Sequence, residues 1–202
     1  PLIGGVLAAF LGKLLGKVFV NIVTILGVTI SFALSTIIAL DIWESSAVLN
    51  QNIYTWLDIG NMSFHIGILI DNLTASMMVV VTFVSLMVHV YTIGYMHDDP
   101  GYHRFFSYIS LFTFSMLSLV MSNNFLQLFF GWEAVGVMSY LLIGFWFTKE
   151  SAIKANLKAF IVNRVGDLCL ILGIGIIFSI IGSLDYYACL LYTSPSPRDL
   201  YQ

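Results

Sequence analysis

Long apolar stretches separated by short polar breaks dominate this chain. The runs Val18–Leu40, Asn72–His97 and Phe105–Trp132 contain no Lys, Arg, Asp or Glu, and each reaches the ~20 residues that a helix needs to cross a bilayer. The segment Phe105–Phe147 would be ~60 Å long as one helix, against a hydrocarbon core of ~30 Å, so it must cross twice. Its strongly polar break, Ser122–Asn124, is where we place the turn.

These breaks predict one partial and five complete transmembrane helices. The partial helix is Pro1–Leu11, and the complete spans are Val18–Leu40, Asn72 to about Met96, Phe105–Met121, Asn124–Phe147 and about Lys158 to Ile181. Gly12–Lys17 and Thr148–Leu157 are predicted to be polar connections. His97–Gly101 is predicted to be a turn, because Pro100 lacks a backbone donor and biases the preceding residue away from the helix.

Between Asp41 and Asp71 the pattern changes to one that is typical of strands. Ile53–Ile59 and Met62–Ile68, joined at Gly60-Asn61, are predicted to form a small β-hairpin outside the membrane. The fold class is therefore an all-α integral membrane protein with one small extramembrane hairpin. We divide the chain into residues 1–71, 72–121, 122–188 and 189–202.

The composition agrees with a membrane protein and excludes several other classes. The chain is 59% hydrophobic and 9% charged, whereas soluble domains are usually about a quarter charged. Its net charge of -3 comes with no basic patch that would bind nucleic acid. Cys169 and Cys189 show neither CxxC nor Cys/His spacing, so we expect neither a disulfide framework nor a metal site.

Both ends of the sequence are unusual. The chain begins with Pro1 and an apolar run that is too short to span a bilayer, so we expect the sequence to be a piece of a longer protein. Cys189–Gln202 departs from the preceding composition and resembles translated adapter sequence, so we expect this tail not to be native.

The charges follow the predicted topology. The alternation of spans puts the basic residues at the ends of the spans and in their connections on one side, namely Lys13, Lys17, Arg104, Lys149, Lys154 and Lys158. The opposite side carries Asp41, Glu44, Asp58 and Asp71 without any Lys or Arg. By the positive-inside rule, the basic loops face the cytoplasm or matrix and the hairpin faces the opposite compartment.

Glu133 is the first candidate for chemistry because it lies about nine residues, or ~13 Å of helix, from either predicted membrane boundary. An ionisable group at that depth costs roughly 2.5–3.5 kcal/mol on insertion and is a functional-site candidate by default. On a helical wheel it shares a face with Gly136, Tyr140 and Gly144. We favour a proton carrier; the alternative is a buried structural glutamate that a neighbour satisfies.

The last span contributes further candidates. Arg164 and Asp167 are three residues apart and can pair along the helix surface, either to neutralise each other or to tune the field around Glu133. Asn156 and Asn163 extend this polar stripe. Lys158 lies one turn from Lys154 at the basic end, where both lysines favour a topological role; proton uptake at Lys158 is the alternative.

Other polar residues inside the spans fit helix packing better than chemistry. They lie on one face of each of two helices: Thr82, Ser85 and His89, then Ser107, Ser110 and Ser118. A haem site between His89 and His103 is not expected, because the break at Asp99–Gly101 prevents both from lying on one helix. No nucleotide-binding loop or nucleophile elbow is found in the sequence.

Three runs together identify a family resemblance: GILIDNLTASMMVVVTFVSLMVHVYTIGYM, LSLVMSNNFLQLFFGWEAVGVMSYLLIGFW and SAIKANLKAFIVNRVGD. They closely resemble the proton-pumping antiporter-like subunits of NADH:quinone oxidoreductase (respiratory complex I), called subunit L in bacteria and subunit 5 in mitochondria. The likeness covers nearly all residues before the tail and roughly the N-terminal third of such a subunit. It implies an antiporter-like N-terminal region at 72–121 and the start of a proton-translocating core at 122–188.

The resemblance also implies roles and partners. Glu133, in the WEAVG motif, would work against a lysine on a following broken helix that this sequence does not contain, and Arg164 and Asp167 would modulate that pair. No cofactor is expected in this chain; NADH, flavin, iron–sulfur clusters and quinone would be held by other subunits. The expected partners are other membrane-arm subunits and the lipid bilayer.

The location and the rival functions follow from the same likeness. A bacterial plasma membrane is favoured over a mitochondrial inner membrane, and this piece alone is not expected to be active. The large subunit of a multisubunit cation/proton antiporter is one alternative, because the same fold serves both. A non-catalytic membrane scaffold is the other.

Overall fold

The computed structural model describes residues 1–45, 47–59 and 62–191. In chain order the elements are α1 (Leu2–Ser45), β1 (Leu49–Ile59), β2 (Met62–Ile70), α2 (Asn72–Tyr95), α3 (Tyr102–Val120), α4 (Phe125–Ile143), α5 (Glu150–Ile181) and α6 (Tyr186–Leu191). The architecture confirms the predicted helical membrane bundle with one small antiparallel hairpin. The predicted turn at Gly60-Asn61 and most of the tail expected to be non-native lie outside the described residues.

Helix α1 is a helical hairpin rather than one rod. Its break lies at Gly16, whose φ of 83° and ψ of 178° suit glycine almost alone. The limbs 2–15 and 17–45 pack closely because Gly4 and Gly12 have no side chain. An added Cβ at Gly4 would lie 2.9 Å from the Val23 carbonyl oxygen, and one at Gly12 would lie 2.8 Å from the Val20 side chain. The connection predicted at 12–17 is therefore confirmed in position. It is shorter than predicted, because only Gly16 departs from helical geometry.

Four described helices are long and apolar enough to cross a membrane: α1, α2, α4 and α5. Helix α3 is less apolar because its packed face carries the buried hydroxyls of Ser107, Ser110, Thr113 and Ser115. It contacts α1, α2 and α4, which makes it the central helix of the bundle. The hydroxyls thus replace apolar surface where helices meet, and not where lipid would lie.

A polar lock joins α2 to α3. The fully buried His89 contacts Ser110 Oγ through Nε2 at 2.9 Å and the Ser85 carbonyl through Nδ1 at 2.8 Å, and Ser85 Oγ lies 2.5 Å from Thr113 Oγ1. Because a carbonyl only accepts, Nδ1 carries the ring proton and Ser110 donates to Nε2. The packing role predicted for these side chains is confirmed.

Two apolar clusters hold the two ends of the bundle. One lies near the basic end and comprises Ala8, Val20, Met96, Tyr102, Phe106 and Phe145. The other lies beside the hairpin and comprises Ala39, Ile42, Ile70, Ala75, Met78 and Leu117. Both clusters draw on α1, α2 and α3, so these helices form the packed core against which α4 and α5 are placed.

The hairpin is anchored to the turn between α3 and α4. Asn123 donates to the side-chain oxygens of Asn50 at 3.1 Å and Asn52 at 2.8 Å. Gln127 forms two hydrogen bonds with the backbone of Gly67, accepting from N–H at 2.9 Å and donating to C=O at 3.0 Å. Asn124 caps α4 by accepting from the Gln127 N–H. The polar break that the sequence marked therefore fixes the hairpin as well as the turn.

The basic end of the bundle gathers the residues that the predicted topology placed there. Lys17 Nζ donates to the His97 carbonyl, Trp146 Nε1 donates to Asp99 at 3.0 Å, and Arg104 lies over the Phe145 ring. The hydrogen bond from His97 lowers the pKa of the exposed Asp98. The predicted separation of a basic end from a hairpin end agrees with these contacts.

Several predicted boundaries are wrong. Helix α1 extends to Ser45 rather than Leu40, β1 begins at Leu49 rather than Ile53, and α3 begins at Tyr102 rather than Phe105. The largest differences lie at the connection between α4 and α5. Helix α4 ends at Ile143 rather than Phe147, and α5 begins at Glu150 although Thr148–Leu157 was predicted to be a polar connection. Glu150 suits the first turn of a helix and pairs with Lys154 at 2.8 Å across one turn. Polarity marks the point where a helix leaves the apolar layer, and it does not stop the helix.

Candidate functional site

The candidate site lies between α4 and α5, about halfway along α4. Glu133 is about 12 Å of helix from Phe125 and about 15 Å from Ile143, which places it near the middle of a helix that is long and apolar enough to cross a membrane. Its side chain is 21% exposed in this chain. Each end of α4 is set by a local signal, the Asn124 cap at one end and the Gly144 cap at the other.

Glu133 and Arg164 form a direct ion pair. Arg164 Nη1 lies 2.5 Å from Glu133 Oε2 and 3.6 Å from Asp167 Oδ2, so one guanidinium faces two carboxylates. Trp132 Nε1 donates to the other Asp167 oxygen at 2.9 Å. The structure thus brings together the three residues that the sequence singled out and adds Trp132, which the sequence did not indicate.

The pair that spacing predicted between Arg164 and Asp167 along α5 is present at 3.6 Å. A shorter contact from Arg164 crosses to Glu133 on α4, and spacing within α5 did not predict it. A signal for this was present in the sequence, because antiparallel neighbours meet when they are nearly equidistant from their connection. Glu133 and Arg164 lie 16 and 15 residues from Lys149, where the connection at 144–149 ends. Tyr140 and Phe160, whose rings lie 5.4 Å apart, lie 9 and 11 residues from it.

A small cavity of about 40 Å³ opens beside the ion pair. It is lined by residues of both helices, among them Glu133, Gly136, Tyr140, Asn163, Arg164 and Asp167. This confirms the face predicted for α4. Gly136 has open space where a Cβ would lie, whereas a Cβ at Gly144 would overlap the Asn156 amide. The missing side chain of Gly136 leaves space for the cavity, and that of Gly144 leaves space for the Asn156 amide.

The remaining candidates lie toward the basic end. Lys154 pairs with Glu150, and Lys158 is exposed and does not line the cavity, so proton uptake at Lys158 stays a prediction. Asn163 lines the cavity. The Oδ1 atom of Asn156 is buried and has no hydrogen-bond partner among the described residues.

The chemistry available here is the binding and release of a proton or cation. Two carboxylates face one guanidinium here, and Tyr140 and Asn163 add polar groups to the same cavity. Within residues 1–45, 47–59 and 62–191, no three His, Cys, Asp or Glu side chains come together as metal ligands. Cys169 is exposed and Cys189 is buried, and both are free thiols.

Comparison with known proteins gives matches along most of the chain. A family model described as NADH-ubiquinone oxidoreductase (complex I), chain 5 N-terminus, matches residues 56–106. A second, described as NADH:quinone oxidoreductase/Mrp antiporter, TM, matches residues 122–198. The second match contains Glu133, Arg164 and Asp167.

Similar proteins come from bacteria and from an amoeba. NADH-quinone oxidoreductase subunit L of Neisseria meningitidis serogroup B is 57% identical over 195 residues, which are 95% of this chain and 29% of that protein. NADH-ubiquinone oxidoreductase chain 5 of Dictyostelium discoideum is 44% identical over 187 residues, 92% of this chain and 28% of that protein. The chain thus spans less than a third of the length of these relatives.

A solved structure shares the fold. It is that of the membrane-bound sulfane sulfur reductase, an archaeal respiratory membrane complex, with a TM-score of 0.81 and 14% identity, covering 96% of this chain and 38% of that one. The bacterial relatives, the apolar helices and this fold together show a multi-pass membrane protein. The chain belongs to the family of antiporter-like membrane subunits that includes NADH-quinone oxidoreductase subunit L and NADH-ubiquinone oxidoreductase chain 5.

Proposed function

We propose that this chain is part of a membrane-arm subunit of a proton-pumping NADH:quinone oxidoreductase, in which Glu133 binds and releases the translocated proton. The observation that carries the proposal is the ion pair between Glu133 and Arg164 near the middle of a membrane helix. A structural ion pair would be complete with these two residues. Here Asp167 lies 3.6 Å from the same guanidinium nitrogen, so Arg164 has a choice of partner.

That choice supplies a switch. With Arg164 against Glu133, the cation favours the ionised carboxylate; with Arg164 against Asp167, Glu133 is left in apolar surroundings, which favour the protonated form. Moving a unit charge from roughly 3 Å to 6 Å changes the interaction by about 3 kcal/mol at an effective dielectric of about 20. A small shift of one side chain is therefore enough to load and unload the site.

Asp167 and Trp132 make the second position of Arg164 a defined one. The Asp167 side chain is only 13% exposed, and the Trp132 indole fixes one of its oxygens. The other oxygen remains directed at Arg164. In this proposal Asp167 positions the arginine and does not carry the proton.

The coupling lies outside this chain. NADH oxidation, flavin, iron–sulfur clusters and quinone belong to other subunits of the proposed complex, and other membrane-arm subunits are its partners. The site has one net negative charge, and the family resemblance supplies a further cation, a lysine on a following helix. Because the family model over residues 122–198 covers Mrp antiporters as well, a cation/proton antiporter subunit is the second candidate; the chain 5 match at 56–106 favours the first.

The test is Glu133→Gln in the full-length subunit within the assembled complex. We expect proton translocation into sealed vesicles to fall by about 10² or more, the range for a residue that itself transfers a proton, with assembly unchanged on a native gel. Glu150→Gln, which removes an exposed carboxylate from the same helix pair, is the matched control. Normal pumping by the Glu133 variant, or failure to assemble, would support a scaffold instead.

A further inference from the structure

The side-chain amide oxygen of Asn156 is a buried hydrogen-bond acceptor without a donor among the described residues. Buried polar atoms in proteins are almost always paired, and ordered water supplies the partner where side chains do not. Asn156 lies on the first third of α5, toward the basic end, and its amide packs against Gly144 at the end of α4. The orphan oxygen therefore indicates a water held between the ends of these two helices.

The same face of α5 leads from Asn156 to the ion pair. Asn163 follows seven residues later, about 10 Å along the helix, and lines the cavity that contains Glu133 and Arg164. At about 40 Å³ this cavity is larger than the roughly 10–15 Å³ that one water needs. The side-chain amides of Asn156 and Asn163 thus lie between the basic end of α5 and the Glu133 carboxylate, and the cavity beside Asn163 has room for water.

We propose that Asn156 and Asn163 hold ordered waters that carry protons from the basic side of the membrane to Glu133. This inference rests on the proposed function. A proton from bulk water passes along hydrogen bonds between waters and ends on the Glu133 carboxylate; no covalent bond to carbon changes and no redox partner is needed. Asn156 and Asn163 are positioning residues, since each amide orients water and neither gains or loses the proton.

Gly144 is the structural condition for this path. A Cβ at that position would overlap the Asn156 amide, so the close approach of α4 and α5 at their basic ends depends on glycine. The exposed Lys158 does not line the cavity and has no part in this path. In this inference protons reach Glu133 between the two helices and not along the outer face of α5.

The test replaces Asn156 in the full-length subunit of the assembled complex. We expect Asn156→Leu to lower proton pumping about tenfold, less than the roughly 10²–10⁴ of a residue that itself transfers the proton, and to raise the ratio of rates in H₂O and D₂O. Asn156→Ser, whose hydroxyl can hold water, should restore most of the rate. Ala155→Leu, which places a leucine at an exposed neighbour on α5, should pump normally.

The outcomes separate this inference from the proposed function. Wild-type pumping by Asn156→Leu, in a complex where Glu133→Gln abolishes pumping, overturns the water path alone. Normal pumping by Glu133→Gln overturns the proposed function itself. If the leucine variant does not assemble, Gly144→Ala must reproduce the loss and the isotope effect, because it displaces the same amide; normal pumping by Gly144→Ala overturns the path.

Discussion

Removing the guanidinium of Arg164 is the sharpest test of the switch. In Arg164→Met the carboxylate of Glu133 loses the cation 2.5 Å away, while Asp167 and its Trp132 hydrogen bond remain. At a charge separation of about 4 Å and an effective dielectric of about 20, the lost attraction is about 4 kcal/mol. Because the Arg164 side chain is 43% exposed in this chain, screening reduces the figure, and we take about half, ~2 kcal/mol.

Because the proposed switch needs a cation that can move between two carboxylates, we expect the loss of this ~2 kcal/mol attraction in Arg164→Met to stop pumping. Infrared difference spectroscopy on the assembled complex then follows the C=O stretch of a protonated carboxyl during turnover. The double variant Arg164→Met with Glu133→Gln assigns that signal, because it lacks the Glu133 carboxyl.

Two matched variants sharpen the result. Arg164→Lys keeps the charge but loses the fork of donors that lets one guanidinium face two carboxylates, so partial pumping is expected. Arg104→Met removes the arginine that lies over Phe145, outside the site, and should pump normally. The reasoning is refuted if Arg164→Met pumps like the wild type.

Two further predictions concern stability. Gly16→Ala forces an L side chain into φ 83°, ψ 178° and should cost on the order of 1–3 kcal/mol, seen as a lower unfolding temperature in detergent; an unchanged midpoint would contradict the hairpin in α1. Gln127→Leu removes both hydrogen bonds to Gly67, about 1 kcal/mol each, and should expose the β-hairpin to protease. The exposed Gln51→Leu is its control, and equal cleavage of the two variants would argue against this anchor.

Much of the fold could be predicted because its boundaries coincide with local chemistry. Helix α2 was predicted to within about one residue, since Asp71 caps its start with a 2.7 Å bond to the Thr74 N–H and the turn with Pro100 follows its end. The break at Ser122–Asn124 was equally informative, because Asn124 caps α4. The start of α5 was missed for the opposite reason: a solvated helical turn and a loop have the same polar composition.

The site shows where residue patterns stop being sufficient. Sequence spacing identified Glu133, Arg164 and Asp167, because charges inside apolar helices are costly enough to stand out. Which carboxylate Arg164 contacts depends on how α4 and α5 align across their connection, and spacing within one helix carries no information about that alignment. The cross-helix contact changes the interpretation. An Arg164–Asp167 pair alone would only neutralise two buried charges, whereas a guanidinium within reach of carboxylates on both helices is the arrangement that the proposed proton switch requires.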